Sequence, residues 1–443
     1  MKLLRSLLKG STFLVLLILI LGITIRNHNL YTWPRMGATF DEYAWTWQGI
    51  SLLTTGKPTS WSYHPQYKHK KEIRYQKAFF VLVTPYLEHP PVFGLIAGSY
   101  AVLNGSRGMF DISIEKIRGL ALILGTLSIG LVYLLAKKIY GESVGLISAL
   151  LYSIIPSVAV GSRLVQNENF FIPMWLLSLY LAVLFLEKKK SWLRNLCAFL
   201  CGVLMLAKVP WVAAAFSIFI IFIYNKRYKD ALIFFFIVAV IFSLYFVYGF
   251  YFDKDVFLGL WGLQLNRYDI TFSSIYALFQ KPFITDRFLT DGWIYWGWFA
   301  FILVLGKDYR KNIILISALL SYFLVFLAAI PDEAGHGWYR YPFYPFLAIS
   351  IALFIKEYFA KNWVLTFFFI AFVATSLLEI TWKVKFGFSY LLFRILIISW
   401  GLILIPQYLV NKKTKFLGVA VSYSWLVTLI LLSIRAIWIY NEQ

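Results

Sequence analysis

The chain has 443 residues, 60% hydrophobic and 20% aromatic but only 14% charged, and its 42 lysines and arginines against 21 aspartates and glutamates leave a formal charge of +21. A mean hydropathy of +0.71 lies well above that of water-soluble domains, which excludes a soluble enzyme and indicates an all-α polytopic membrane protein. The basic residues fall in short clusters between apolar runs, so they read as topology signals and not as a nucleic-acid-binding face.

In chain order, the opening MKLLRSLLKGSTFLVLLILILGITI shows no small-residue cleavage site before Asn27 and reads as a retained first span. A polar loop of about 90 residues follows, 27–116. It contains GATFDEYAWTWQGISLLTTGKP, where Asp41 and Glu42 stand side by side, and a basic stretch, YKHKKEIRYQK, that either faces anionic lipid or acceptor or is simply solvated. HPPVFGLIAGSYAVLNG offers about 14 apolar residues between Pro91 and Asn104, short for a crossing of the ~30 Å hydrocarbon layer. It is expected as an interfacial or re-entrant helix.

Beyond it, apolar runs alternate with basic clusters at Lys137/Lys138, Lys188 to Lys190 with Arg194, Lys226/Arg227/Lys229, Lys307/Arg310/Lys311, Lys356/Lys361 and Lys412/Lys413/Lys415. With Lys2/Arg5/Lys9, the positive-inside rule places all of them in the cytoplasm. The pattern predicts one transmembrane domain, 1–443, of about 13 helices with a cytoplasmic N-terminus and an external C-terminus. The external segments are then 27–116, 161–169, 207–211, a second large loop 249–291, 331–342 and 379–389. Two cysteines, Cys197 and Cys201, sit four apart in an apolar helix and are expected to pack.

Each external segment brings a charged side chain to the outer end of a helix, a costly position that by default marks function. Long lysines such as Lys383 and Lys385 can instead snorkel; Asp41, Glu42 and Glu168 suit that explanation less. Carboxylates also suit helix N-termini, so Asp41 and Glu42 as a cap to the helix beginning near Tyr43 is the competing reading. In 249–291, Asp253, Asp255, Arg267, Asp269, Asp286, Arg287 and Asp291 fit either a paired, solvated surface or a cover over an acceptor groove.

The ordered set TFDEYAWTWQGISLLTTGKP, EHPPVFGLIAGSYAVLNG with IRGLALILGTLSIGLVYLLAKKIYG, SRLVQNENFFIP, LMLAKVP and WYRYPFYPFLAI resembles the GT-C superfamily of membrane glycosyltransferases. The branch is that of protein O-mannosyltransferases and the aminoarabinose transferases that decorate lipid A. The likeness runs over almost the whole chain. It implies a GT-C fold whose large first extracytoplasmic loop carries juxtamembrane helices, in the plasma membrane with the active site outside. It also implies transfer of a hexosyl or pentosyl group from a polyprenyl-phosphate donor to an extracytoplasmic protein, lipid or glycan. Partners would be that donor, the acceptor and membrane lipids, with no nucleic acid.

Such an inverting displacement needs a carboxylate to take the acceptor's proton and cations to receive the leaving phosphate. By resemblance Asp41 is the general base, and Glu42 orients it or contacts the sugar. Glu168 occupies the second acidic position, and Arg163 is placed to pair with it or to bind donor phosphate. His89, Lys208 and Arg340 are the phosphate candidates, and His336 and Tyr339 lie on the Arg340 turn. His89 stands where aminoarabinose transferases carry lysine, a departure toward the mannosyltransferase pattern; Ala207 replaces the usual threonine before Lys208. Asp41, Glu42 and Glu168 are the carboxylates available to a divalent metal, and no cofactor is assigned. The rival class, a flippase for a lipid-linked glycan, would show inverted repeats and charged mid-membrane helices, which the sequence lacks.

Overall fold

The structure of the protein, a computed structural model, describes residues 10–266, 275, 278, 291–329, 336–383, 387 and 389–440. The expected features at Lys2, Arg5, Lys9, Arg267, Asp269, Asp286, Arg287, residues 331–335 and Lys385 lie outside the described residues.

The architecture is helical. A first helix, α1 (Gly10–Asn27), precedes α2 (Asp41–Thr55), a small sheet and α3 (Val92–Leu103), after which come α4 (Ile114–Tyr140), α5 (Glu142–Ile154) and α6 (Pro156–Gly161). The chain continues through α7 (Asn167–Lys188), α8 (Ser191–Met205), α9 (Val212–Tyr224), α10 (Tyr228–Leu265), α11 (Gly292–Lys307) and α12 (Ile313–Ala329). It ends with α13 (Tyr344–Glu357), α14 (Trp363–Leu378), α15 (Tyr390–Gly401), the short α16 (Ile405–Tyr408) and α17 (Lys412–Ile439). Among the described residues, 7 helical segments are long and apolar enough to cross a membrane; shorter apolar helices fill the intervals between them. Together they make a multi-pass membrane protein. Cys197 packs as expected, fully buried with its thiol directed at the Ser178 carbonyl.

The first loop holds α2 and α3, which cross backbone on backbone. A Cβ at Gly49 would lie 1.8 Å from the Gly94 carbonyl oxygen, and one at Gly98 would lie 2.5 Å from the Ile50 nitrogen. Gly94 and Gly98 form the small-xxx-small face that lets helix backbones approach this closely. With 12 residues, α3 is about 18 Å long, too short to cross. Because α2 carries Asp41, we expect Gly49→Ala to displace the Asp41 carboxylate as well as to destabilise the fold. The check is a fall in both thermal midpoint and transfer activity relative to the wild type.

The sheet corrects the purely helical expectation for this loop. Strands β1 (Ser60–Trp61), β2 (Lys70–Tyr75) and β3 (Ala78–Val83) pair antiparallel in the order β1-β3-β2, with Lys70 opposite Val83 and Tyr75 opposite Ala78. Phe80 and Leu82 are buried while β2 is mostly exposed, so the basic stretch is an edge strand.

Two helices are broken by identifiable causes. Pro156 cannot donate a backbone hydrogen bond, so the expected single span restarts there as α6. Asp291 serves two helix starts at once: Oδ2 accepts from Ser157 N at 2.9 Å, and Oδ1 caps α11 by accepting from Trp293 N at 3.1 Å. Residues 249–265, expected as part of a loop, belong to α10. The helix turns at Asp253 (φ −165°, ψ 101°), whose Oδ1 accepts from Asp255 N and Val256 N and caps the arm that follows. That arm packs on the first loop, where Val256, Phe257 and Leu260 meet Tyr67, Val83, Tyr86 and Leu87.

Candidate active site

Asp41 is the first residue of α2, and the cap position is Phe40, which makes no side-chain cap bond. The capping explanation for the two acids therefore fails, although both lie in the first turn, where the helix dipole favours negative charge. Consecutive helical residues point about 100° apart, and the two carboxylates diverge accordingly.

Glu42 turns inward and is fully buried against Arg118, itself fully buried. Arg118 Nε donates to Glu42 Oε1 at 3.0 Å and Nη2 to Oε2 at 2.8 Å, a bidentate pair. Val165 N donates to Oε1 at 3.0 Å, while Arg118 Nη1 donates to the carbonyls of Leu30 and Pro34. The catalytic role expected for Glu42 is thus corrected: both its oxygens are engaged and none of its surface is open to a substrate. It fixes the start of α2 to α4, to the end of α1 and to the turn before α7.

Asp41 retains partial exposure. Burial raises its pKa above the ordinary carboxylate value of 3.8; Lys208 and His336 oppose the rise, Glu168 adds to it, and a hydrogen bond with Gln166 opposes it. Gln166 is held in turn, its Nε2 donating to Thr39 Oγ1 at 2.9 Å and its Oε1 accepting from Trp45 Nε1.

Glu168, in the first turn of α7, faces Lys208 across the cleft at 2.7 Å. Its Oε2 has no hydrogen-bond partner among the described residues. Lys208 sits in the turn after α8, its ammonium 5.4 Å from the Trp211 ring centre and 4.7 Å from that of Tyr339. Burial disfavours the charge on Lys208, but Glu168, Tyr339 and Asp41 outweigh it and raise its pKa above 10.5. Tyr322 anchors the far wall, donating to the Tyr339 carbonyl at 2.8 Å. Asp41, Glu168, Lys208, Tyr339 and His336 therefore belong to one electrostatic cluster drawn from four separate segments.

A cavity of about 260 Å³ opens from this cluster. Its polar lining is Glu88, His89, Lys208, Gln264 and Tyr339; Leu87, Tyr245, Leu260, Trp261 and Leu265 are among its apolar walls. Trp261 and Leu265 come from the arm beyond Asp253, so the segment read from sequence as a loop supplies a wall. His89 is held by its own carbonyl, which accepts from Gln48 Nε2 at 3.0 Å, and by a tilted contact with Trp45 at 4.8 Å.

Two sequence candidates for phosphate binding lie elsewhere. Arg163 is fully buried and donates to the carbonyls of Trp33 and Ile25. Burial and the neighbouring Arg26 and Arg118 lower its pKa to about 9. It pairs with neither Glu168 nor the cavity. Arg340 is 3% exposed and is absent from the lining of the cavity. It lies instead among Tyr344, Tyr295 and Tyr322, and burial lowers its pKa. No group of three His, Cys, Asp or Glu side chains suited to a metal is present among the described residues; with Glu42 committed to Arg118, the three candidate carboxylates do not converge.

Sequence reasoning missed Glu88, although it directly precedes His89, and Gln166, Trp211 and Tyr322, whose neutral side chains carry no charge signal.

The family described as dolichyl-phosphate-mannose-protein mannosyltransferase matches residues 88–251, the stretch that supplies His89, Glu168 and Lys208. No curated protein sequence matches the chain. Among solved structures, ArnT from Cupriavidus metallidurans in the apo state is similar over 97% of this chain and 77% of its own, at 13% identity and a TM-score of 0.61. The chain therefore shares the fold of this membrane enzyme. ArnT bound to undecaprenyl phosphate gives 12% identity over 96% of this chain and 76% of its own, with a TM-score of 0.59. The apo oligosaccharyltransferase of Archaeoglobus fulgidus is 13% identical over 93% of this chain, with a TM-score of 0.50. The chain spans 56% of that longer enzyme.

Proposed function

We propose that the chain transfers a single sugar from a polyprenyl-phosphate donor to an acceptor hydroxyl at the extracytoplasmic face. Asp41 takes the acceptor's proton as the hydroxyl oxygen attacks the anomeric carbon with inversion. The bond from that carbon to the phosphate oxygen breaks, and its electron pair leaves with the polyprenyl phosphate. Lys208 and His89 stabilise the charge that develops on the leaving phosphate. Glu168 holds Lys208 in place, and the ring faces of Trp211 and Tyr339 flank its ammonium.

The observation that carries this reading is the division of the cavity lining between polar groups, among them Glu88, His89, Lys208 and Tyr339, and apolar ones, among them Leu87, Leu260 and Leu265. A phosphate attached to an isoprenoid chain has that same division. ArnT has been solved with undecaprenyl phosphate, which supports a lipid-linked donor. Family and fold leave the sugar open; His89 in place of lysine favours a mannosyltransferase-like donor.

The test uses purified full-length chain in lipid nanodiscs. Undecaprenyl phosphate should raise the unfolding temperature where undecaprenol does not, and Lys208→Met should weaken the phosphate response by about 10-fold or more, the scale of one charge-assisted contact of about 1.5–3 kcal/mol. Equal responses to the phosphate and the alcohol would remove the donor assignment.

A further inference from the structure

A second cavity, of about 200 Å³, lies in the first loop and is lined by Arg35, Met36, Gly37, Phe40, Tyr43, Gln76, Lys77 and Ala78. None of these residues lines the donor cavity. We infer that this pocket binds an anionic group, a phosphate or a carboxylate, carried by the acceptor, and so sets which acceptors reach Asp41. The inference deepens the proposed transfer and rests on it.

Three observations carry it. Position comes first: Phe40, in the pocket wall, precedes Asp41 by one peptide, a Cα separation of about 3.8 Å. A ligand held here lies beside the first turn of α2, which carries Asp41.

Charge comes second. Arg35 and Lys77 are exposed at the pocket, and the edge strand β2 that leads to Lys77 exposes Lys70, Lys71 and Arg74 with Glu72 as its one acid. Of the two acids in α2, Asp41 and Glu42, the second is neutralised by Arg118. Within the pocket, Tyr43 is buried and its hydroxyl has no partner among the described residues.

Backbone conformation comes third. Gln76 and Lys77 form the two-residue turn between β2 and β3, both left-handed at φ 50° and 66°, and Gly37 across the pocket has φ 81°. Such a turn ordinarily takes Asn-Gly or Asp-Gly. Keeping Gln and Lys there strains the backbone, and the arrangement returns two long polar side chains at the rim of the cavity.

The experiment measures thermal unfolding of the full chain in phosphatidylcholine nanodiscs with glucose 6-phosphate, glucuronate, glucose or inorganic phosphate. The inference expects the two anionic sugars to raise the unfolding temperature, glucose to have no effect, and the double variant Arg35→Ala/Lys77→Ala to need at least 10-fold more anionic sugar for the same shift. Glucose matching the anionic sugars, or the double variant responding like the wild type, would overturn it. So would inorganic phosphate alone reproducing the full shift, which marks a bare anion site, or suppression of the shift by phosphatidylglycerol in the disc, which marks a lipid-headgroup site. Undecaprenyl phosphate is run in parallel on both proteins. Loss of its effect in the wild type defeats the donor assignment, whereas a normal lipid response with no response to anionic sugars defeats only the acceptor pocket.

Discussion

Asp41→Asn is expected to lower sugar transfer by about 10²–10⁴-fold, the range associated with a positioned general base, while leaving binding of undecaprenyl phosphate within a few-fold of wild type. The substitution keeps the shape of the side chain and its place at the start of α2, and removes the oxygen that accepts the proton. Lys208 keeps its contact with Glu168 at 2.7 Å, so the cation proposed to meet the donor phosphate stays in place. That separation is the value of the test: a protein that only moved lipid-linked sugar would need the donor cavity and not the base. Transfer at the wild-type rate in Asp41→Asn would sink the proposed mechanism. The pH profile gives an independent reading. Burial, opposed by Lys208 and His336, raises the Asp41 pKa above 3.8. A base must be deprotonated to act, so transfer should fall on the acid side at a pH above the ordinary carboxylate range, and that limb should vanish from the residual rate of Asp41→Asn.

The sequence made the frame of the site legible and left its inward-facing partners hidden, for reasons visible in individual residues. Long apolar runs between basic clusters mark helices because each crossing demands them, and the weakness of 89–105 as a crossing is explained by a 12-residue α3. Asp41, Glu168 and Lys208 stood out because isolated charges at helix ends are costly. Glu42 and Arg163 stood out for the same reason, yet fold inward. Nothing in the linear order says that Glu42 will meet Arg118, 76 residues away, or that Arg163 will reach the carbonyls of Trp33 and Ile25. Arg118 itself sits in an apolar helix and drew no attention until Glu42 was seen beside it. The hairpin was hidden differently. Its turn, Gln76-Lys77, lacks Asn or Gly, and the charged edge strand shows little of the apolar alternation by which strands are recognised. The arm beyond Asp253 was lost because a single non-helical residue, flanked by charge, looks in sequence like the start of a loop.

Arg118→Met is the second substitution with a large expected effect, and it acts on stability first. Breaking a buried ion pair from one side costs about 3–5 kcal/mol, because the remaining charge stays out of water without its partner. Here Glu42 would keep only the Val165 amide on Oε1, and the carbonyls of Leu30 and Pro34 would lose the Nη1 donor. Methionine fills much of the volume left by the arginine but returns none of these bonds. The double variant Glu42→Gln/Arg118→Met should recover part of the loss, since a neutral amide is cheaper to bury than an unpaired carboxylate. It should not recover all of it, because the two orphaned carbonyls remain. Thermal unfolding of the two variants in nanodiscs measures this difference. If the pair also positions Asp41, as its place at the next residue of α2 requires, transfer should fall further than stability explains at temperatures where the variant is still folded. An Arg118→Met protein that keeps wild-type stability and wild-type transfer would show that α2 is aimed by its packing on α3 instead, through the Gly49 and Gly94 contact, and that the buried pair contributes nothing to the placement of the base.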